Sequence, residues 1–362
     1  MPHCLRLDRH YPAPRPCPHS AASPKTATPE TAPMPRKTSI RALLHALAAA
    51  LLAGTLSGGA IAQAYPLRPV QMIVPYPAGG ASDIMARAFA EKLAAGLGVQ
   101  VVVDNRVGAG GNLAASAAAK AAPDGHTLFF GAAGPLAVNP ALYAKLPFDP
   151  VKDFAPIGLV GSMALFLTVP AELPAKSLPE LIALSKAKPG SLSYASSGVG
   201  GTTHLAMEWF KSQSGADMTH VPYKGTAAGI ADMIGGRIQV IFDAWPTTSP
   251  QVRSGKLRYL AVSTARRSAL EPEVATMTEL GLGGFDLYVW YGLMAPAGTP
   301  AEVVSKLARI TVEATARPDL RERFASLGME PLAGGPERFA EHLRAETDKW
   351  ARIVRLSGAK AE

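Results

Sequence analysis

Three stretches of the chain share one layout: a short strand-like run, then small or glycine-rich residues, then the start of a helix. They are Tyr76-Pro77-Ala78-Gly79-Gly80-Ala81-Ser82-Asp83, Ala195-Ser196-Ser197-Gly198-Val199-Gly200-Gly201-Thr202 and Tyr223-Lys224-Gly225-Thr226. Strands that turn tightly into helices build βα units, and successive units give parallel strands covered by helices on both faces. The rest of the chain keeps the alternation. Val70–Val74, Val99–Val103, Thr127–Gly131 and Phe166–Val169 read as strands, as do Ser193–Ala195, Thr219–Val221, Gln239–Phe242, Tyr259–Ser263 and Tyr288–Ala295. Met85, Phe89 and Leu93 recur at helical spacing, and Gly111–Ala121 is an alanine-rich helix. Ser177-Leu178-Pro179-Glu180 has the form of a capping box. After the turn Ala295–Pro300 come two further amphipathic helices, marked by Val303, Leu307 and Ile310, and then by Phe339, Leu343, Trp350 and Ile353. No solenoid repeat interrupts this order.

The first 64 residues differ in kind. Residues 1–33 are rich in Pro, Ala, Ser and Thr without apolar periodicity, and are expected to be disordered or to precede the true start. Met34 opens an export signal: Arg36, Lys37 and Arg41, an apolar run Ala42–Ala53, then Ala62-Gln63-Ala64 before Tyr65. A 12-residue run is too short to span a bilayer, which needs about 20 apolar residues. Cleavage after Ala64 and a periplasmic, soluble product are therefore expected.

That cut decides how the charge is read. The whole chain of 362 residues carries +8, a balance that raises nucleic acid as a partner. Seven basic and two acidic residues lie before Tyr65, so the remaining 298 carry only +3. Nucleic acid is thereby excluded as the expected partner. Cys4 and Cys17 also leave with the leader, and the mature chain has no thiol for a nucleophile, a metal or a disulfide.

Familiar catalytic patterns are missing. There is no P-loop, no HExxH and no G-x-S-x-G, and Gly108-Ala109-Gly110-Gly111 fails the dinucleotide fingerprint because Leu113 replaces its third glycine. The four mature histidines, His126, His204, His220 and His342, are not at metal-ligand spacing. His126 and His342 read as ordinary half-buried side chains. No catalysis, cofactor or metal is expected.

The three glycine-rich loops point instead to anion binding. A helix N-terminus offers unpaired N–H donors and the positive end of its dipole, and nearby hydroxyls add donors. In open α/β sheets such loops gather at the carboxyl ends of the strands, where ligands sit. Asp83 would repel an anion and is expected to cap its helix. Asp243, at the end of its strand, is placed to orient a water or meet the ammonium of an amino-acid ligand. A secreted hydrolase built around Ser197 and His204, and a ligand sensor acting on a membrane signalling partner, are the alternatives.

At this point particular residues resemble a known family. Tyr65-Pro66, Ile73–Gly80 with Asp83, Gly108–Gly111, Pro123-Asp124-Gly125, Asn139-Pro140, Asp149-Pro150 with Lys152-Asp153-Phe154, His220–Gly225, Trp290-Tyr291-Gly292 and Ala295–Pro300 occur in this order. They resemble the Bug-type (TctC-like) receptors of tripartite tricarboxylate transporters. The resemblance implies an α/β, two-domain periplasmic binding protein, a type II-like flytrap. Each domain would be a mainly parallel sheet flanked by helices, with crossing strands between them. Residues 65–165 plus 290–362 would form the first domain and 166–289 the second. It also implies a small carboxylate ligand between the domains, and a two-component membrane permease, with large and small subunits, as the partner of a monomer. The resemblance implies contacts from the Gly79–Gly80, Ser196–Ser197 and Tyr223–Gly225 loops. With the reading of the residues, the candidate ligand-binding set is Tyr76, Pro77, Gly79, Gly80, Asp83, Ala132, Ser196, Ser197, Gly198, Thr202, His204, Tyr223, Lys224, Gly225 and Asp243. One departure is expected to alter the cleft's polar lining: Leu136 stands where many members have His.

Overall fold

The computed structural model describes residues 65–360, which cluster as one unit. The expected leader 34–64, the stretch 1–33 and the cut after Ala64 lie outside the described residues. β1 (Val70–Val74) leads through the first glycine loop into α1 (Ala81–Leu97), followed by β2 (Val101–Asn105), α2 (Asn112–Ala119) and β3 (Thr127–Ala132). A single wide turn at Gly134–Val138 and the short α3 (Asn139–Leu142) come next. β4 (Phe154–Pro170) is followed by α4 (Leu178–Ala187), β5 (Ser193–Ser196), α5 (Thr202–Ser214), β6 (Thr219–Pro222), α6 (Thr226–Ile234), β7 (Val240–Ala244), α7 (Trp245–Arg253) and β8 (Leu257–Val262). β9 (Tyr288–Pro296), α8 (Ala301–Ala316), α9 (Pro318–Ser326), β10 (Glu330–Gly334) and α10 (Pro336–Ser357) complete the described chain.

The sheet is mixed. Its order is β2-β1-β3-β9-β4-β7-β5-β6, with β8 and β10 also paired to β4. The outer pairs β1–β2, β1–β3, β5–β6 and β5–β7 are parallel. All pairs made by β4 and β9 are antiparallel. The parallel βα units foreseen from the glycine loops thus flank an antiparallel centre. That centre exists because the chain crosses once along β4 and returns along β9.

β4 is the longest strand, 17 residues, of which only Phe166–Val169 stands out in the sequence. Its first part, Phe154–Ala164, pairs with β9, and from Leu165 onward it pairs with β7 and β8. Pro156, Gly158 and Gly161 hide it from a pattern search, and the register slips beside each of them. A Cβ on Gly158 would lie 2.9 Å from the Gly334 carbonyl, and one on Gly161 3.1 Å from that of Glu330. Glycine is needed there because β10 passes so close.

Strand alternation places the core on both faces. Val70, Met72 and Val74 of β1 pack with Met85, Phe89 and Leu93 of α1 and Leu307 of α8, whereas Ile73 joins the alanines of α2 on the other face. Leu136, expected to bear on the cleft's polarity, is fully buried in this second core, where its side chain abuts Gly131. The expectation is corrected: that position contributes apolar packing and does not line the cleft.

One buried carboxylate ties α10 to β9. Glu346 accepts from Trp290 Nε1 at 2.9 Å and from Trp350 Nε1 at 3.0 Å, and pairs with Lys349 at 2.5 Å. Both indoles are fully buried, so losing Glu346 leaves two donors without a partner. Glu346→Ala should lower the unfolding free energy by about 2–5 kcal/mol in urea denaturation.

Candidate functional site

A cavity of about 700 Å³ opens where the two parts of the sheet meet. Its floor includes Met163 and Leu165 of β4 and Val289 of β9, the strands that cross between the parts. Tyr76, Gly80, Tyr143 and Tyr291 face it from one side, and Ser197, Gly201, Gly225 and Asp243 from the other.

Four helices begin on this cavity. α1, α5, α6 and α7 start after Gly80, Gly201, Gly225 and Ala244, and none of the four has a side-chain cap. Residues at each of these starts line the space. First-turn N–H groups lack intrahelical acceptors and present partial positive charge to whatever enters, although in α7 the second residue, Pro246, has no N–H to offer. Ser82, Thr202, Thr203, Thr226 and Thr247 line the same space. Burial, helped by Tyr143, pushes the Tyr76 phenol up to about 12, and burial also raises Tyr291. Both remain protonated donors at neutral pH.

Among the described residues, Lys224 and Asp243 are the basic and acidic side chains that line the cavity. Lys224 is exposed, while Asp243 is buried at the end of β7. Asp243 accepts from the Ala244 N–H at 2.9 Å and from Thr247 Oγ1 at 2.7 Å. Burial raises its carboxyl above the usual range despite these donors.

The structure divides the residues expected from the sequence. Tyr76, Pro77, Gly80, Ser197, Gly198, Thr202, Lys224, Gly225 and Asp243 line the cavity together. Gly79, Asp83, Ala132, Ser196, His204 and Tyr223 are not among its lining residues. Asp83 is the third residue of α1 and not its cap. Its Oδ2 accepts from the Gly79 N–H at 2.9 Å and from Arg87 Nε at 3.0 Å, so it shapes the glycine loop from behind. Burial would raise this carboxyl, but Arg87 and the Gly79 N–H outweigh it and hold Asp83 below the usual range. Ala132 is wholly buried in β3. The Tyr223 hydroxyl donates to Asp232 at 2.7 Å.

The remaining two residues act beneath the second loop. His204 Nδ1 accepts the Gly200 N–H at 3.1 Å, and its ring stacks 4.0 Å from His220. Ser196 Oγ lies 2.6 Å from His220 Nε2. The Ser197 hydroxyl pairs with Thr203 at 3.0 Å, so Ser197 and His204 do not form the dyad a hydrolase would need. What sequence reasoning missed is mostly apolar or glycine: Gly110, Gly134, Val138, Leu142, Met163 and Leu165. Gly110 had a signal, since its loop also joins a parallel strand end to a helix start. Asn139 Nδ2 fixes that loop through the Gly110 carbonyl at 3.1 Å and Asn112 Oδ1 at 2.7 Å.

An open cleft at strand ends, lined by helix N-termini from both sides, defines a solute-binding receptor with the α/β fold of periplasmic binding proteins. Comparison with known proteins agrees. The model of the tripartite tricarboxylate transporter family receptor matches residues 85–358, and the chain belongs to that family. Protein BugT of Bordetella pertussis is 39% identical over 300 residues, covering 83% of this chain and 92% of that protein. The structure of R. palustris Rpa4515 with adipate is 34% identical at a TM-score of 0.74, over 82% of this chain and all of that one. MatC (Rpa3494) from Rhodopseudomonas palustris with bound malate is 32% identical at 0.70, over 80% and 100%. The family assignment makes the chain a receptor and not an enzyme.

The stacked histidines carry a pH signature. Burial, with His204 nearby, lowers His220 from 6.5 to about 4, and burial lowers His204 as well. The unfolded chain therefore binds more protons between these values, and stability should fall as pH drops through that window. Urea midpoints measured from pH 7 to pH 4 should show this decline, and His220→Gln should flatten it.

Proposed function

We propose that the protein captures a small carboxylate in this cleft and presents the closed, loaded form to a two-component membrane permease. The observation that carries the reading is the meeting of four uncapped helix starts on one cavity. Together with the surrounding hydroxyls they can bind a carboxylate with little reliance on charged side chains. Adipate and malate in two relatives support the ligand class.

Export would follow the leader at 34–64, with cleavage after Ala64 and release into the periplasm as a monomer. No helix among the described residues is long and apolar enough to cross a membrane. Residues 65–165 plus 290–362 would move as one lobe and 166–289 as the other. The partner change of β4 between Ala164 and Leu165 supports a boundary there. Closure around the ligand shifts an equilibrium between open and closed forms.

Titration calorimetry against a panel of carboxylates, including adipate, malate and aromatic acids, with a sugar as control, tests the reading. At least one carboxylate should bind with an affinity that the sugar does not approach. Binding of the sugar alone would overturn it.

Gly80 gives a sharper check. Its backbone is extended, φ −79° and ψ 167°, so the dihedrals suit a side chain, whose Cβ would lie 3.3 Å from the Pro77 carbonyl, and the residue lines the cavity. Gly80→Val should keep the thermal midpoint within a few degrees and weaken the bound carboxylate by about tenfold or more.

A further inference from the structure

The chain passes between the two parts of the sheet at two places, along β4 and just before β9. At the first, β4 leaves its partner Tyr288 after Ala164 and takes up Ala244 and Val262 from Leu165 and Phe166 onward. A strand that changes partners there leaves backbone groups outside the regular ladder, and buried groups of this kind need another partner.

One residue supplies it. Ser263, directly after β8, is wholly buried. Its Oγ accepts the Leu165 N–H at 3.1 Å and donates to the Leu287 carbonyl at 2.5 Å. Its backbone repeats the bridge, donating to the Leu165 carbonyl at 2.9 Å and accepting from the Leu287 N–H at 2.9 Å. Both crossing segments are thus joined through a single serine, whose hydroxyl has both its donor and an acceptor position engaged. Leu165 also forms part of the cavity floor.

We propose that Ser263 is the positioning residue of the hinge, coupling the two crossing segments so that they bend together when the cleft opens and closes. This rests on the receptor reading for its purpose, but not for its test, which uses the protein without ligand. A carboxylate panel that fails would count against the receptor reading and leave the hinge result untouched.

The mature chain has no cysteine, so two can be introduced for spin labels. Val151, 59% exposed, and Ile234, 41% exposed, lie in different parts of the sheet assembly. Distances between labels at Val151→Cys and Ile234→Cys would be measured in the otherwise native protein, in Ser263→Ala and in Ser263→Thr. Amide exchange would be followed in parallel. In Ser263→Ala the distance distribution should broaden and the Leu165 amide exchange about tenfold faster, while Phe129 and Ile241 in the two cores keep their rates. Ser263→Thr, which keeps the hydroxyl, should restore both. If Ser263→Ala proves too unstable to label, amide exchange in the unlabelled Ser263→Ala protein decides alone, by the rate of Leu165 against those of Phe129 and Ile241. An unchanged distribution, or faster exchange throughout both cores, would overturn the proposal and leave Ser263 an ordinary buried hydrogen-bonding residue.

Discussion

The first N–H groups of a helix have no acceptor inside the helix, and in most helices a side chain at the cap supplies one. Four helices here forgo that solution at the same place. Gly80, Gly201, Gly225 and Ala244 cannot cap with a side chain, so the first-turn donors of α1, α5 and α6, and those of α7 apart from Pro246, remain available to the cleft. Every other feature of the site is arranged around this. The side chains with strong polar partners, Asp83 and His204, stand behind the loops and hold their shape. Those that face the cleft are mainly hydroxyls, glycines and apolar groups.

Such a site exists only if the helix starts converge, and the antiparallel centre of the sheet brings them together. β4 is shared by both parts, so the strand ends of each part are directed to one cavity instead of two separate surfaces. The same strand provides part of the cavity floor and the crossing point. The proposed binding surface and the proposed hinge would therefore use adjacent residues: Leu165 lines the cleft, and its backbone is held by Ser263.

Charge plays a smaller part than composition suggests. The large positive balance belongs to residues 1–64, and the cleft contains one exposed lysine and one buried aspartate. Asp243 is buried and held by the Ala244 N–H and the Thr247 hydroxyl, and burial raises its carboxyl above the usual range. Affinity in such a site comes from oriented dipoles and hydroxyls whose desolvation cost is lower than that of a buried guanidinium.

Local sequence determined the βα units. Glycine after a β-branched run and an amphipathic stretch after the glycine are short-range signals, and the loops at Gly79–Gly80, Ser197–Gly201 and Lys224–Thr226 were legible for that reason. Family-specific residues such as Trp290-Tyr291-Gly292 carried the resemblance further, to the receptor class. Tertiary structure decided what no local pattern encodes. It alone set the length of β4 behind Pro156, Gly158 and Gly161, because β10 is brought against those glycines from about 170 residues away in the chain. It also placed Leu136 in the core, turned Asp83 away from the cavity, and put Ser263 between two crossings. Each depends on which distant segment packs alongside, and side-chain chemistry at one position does not contain that information.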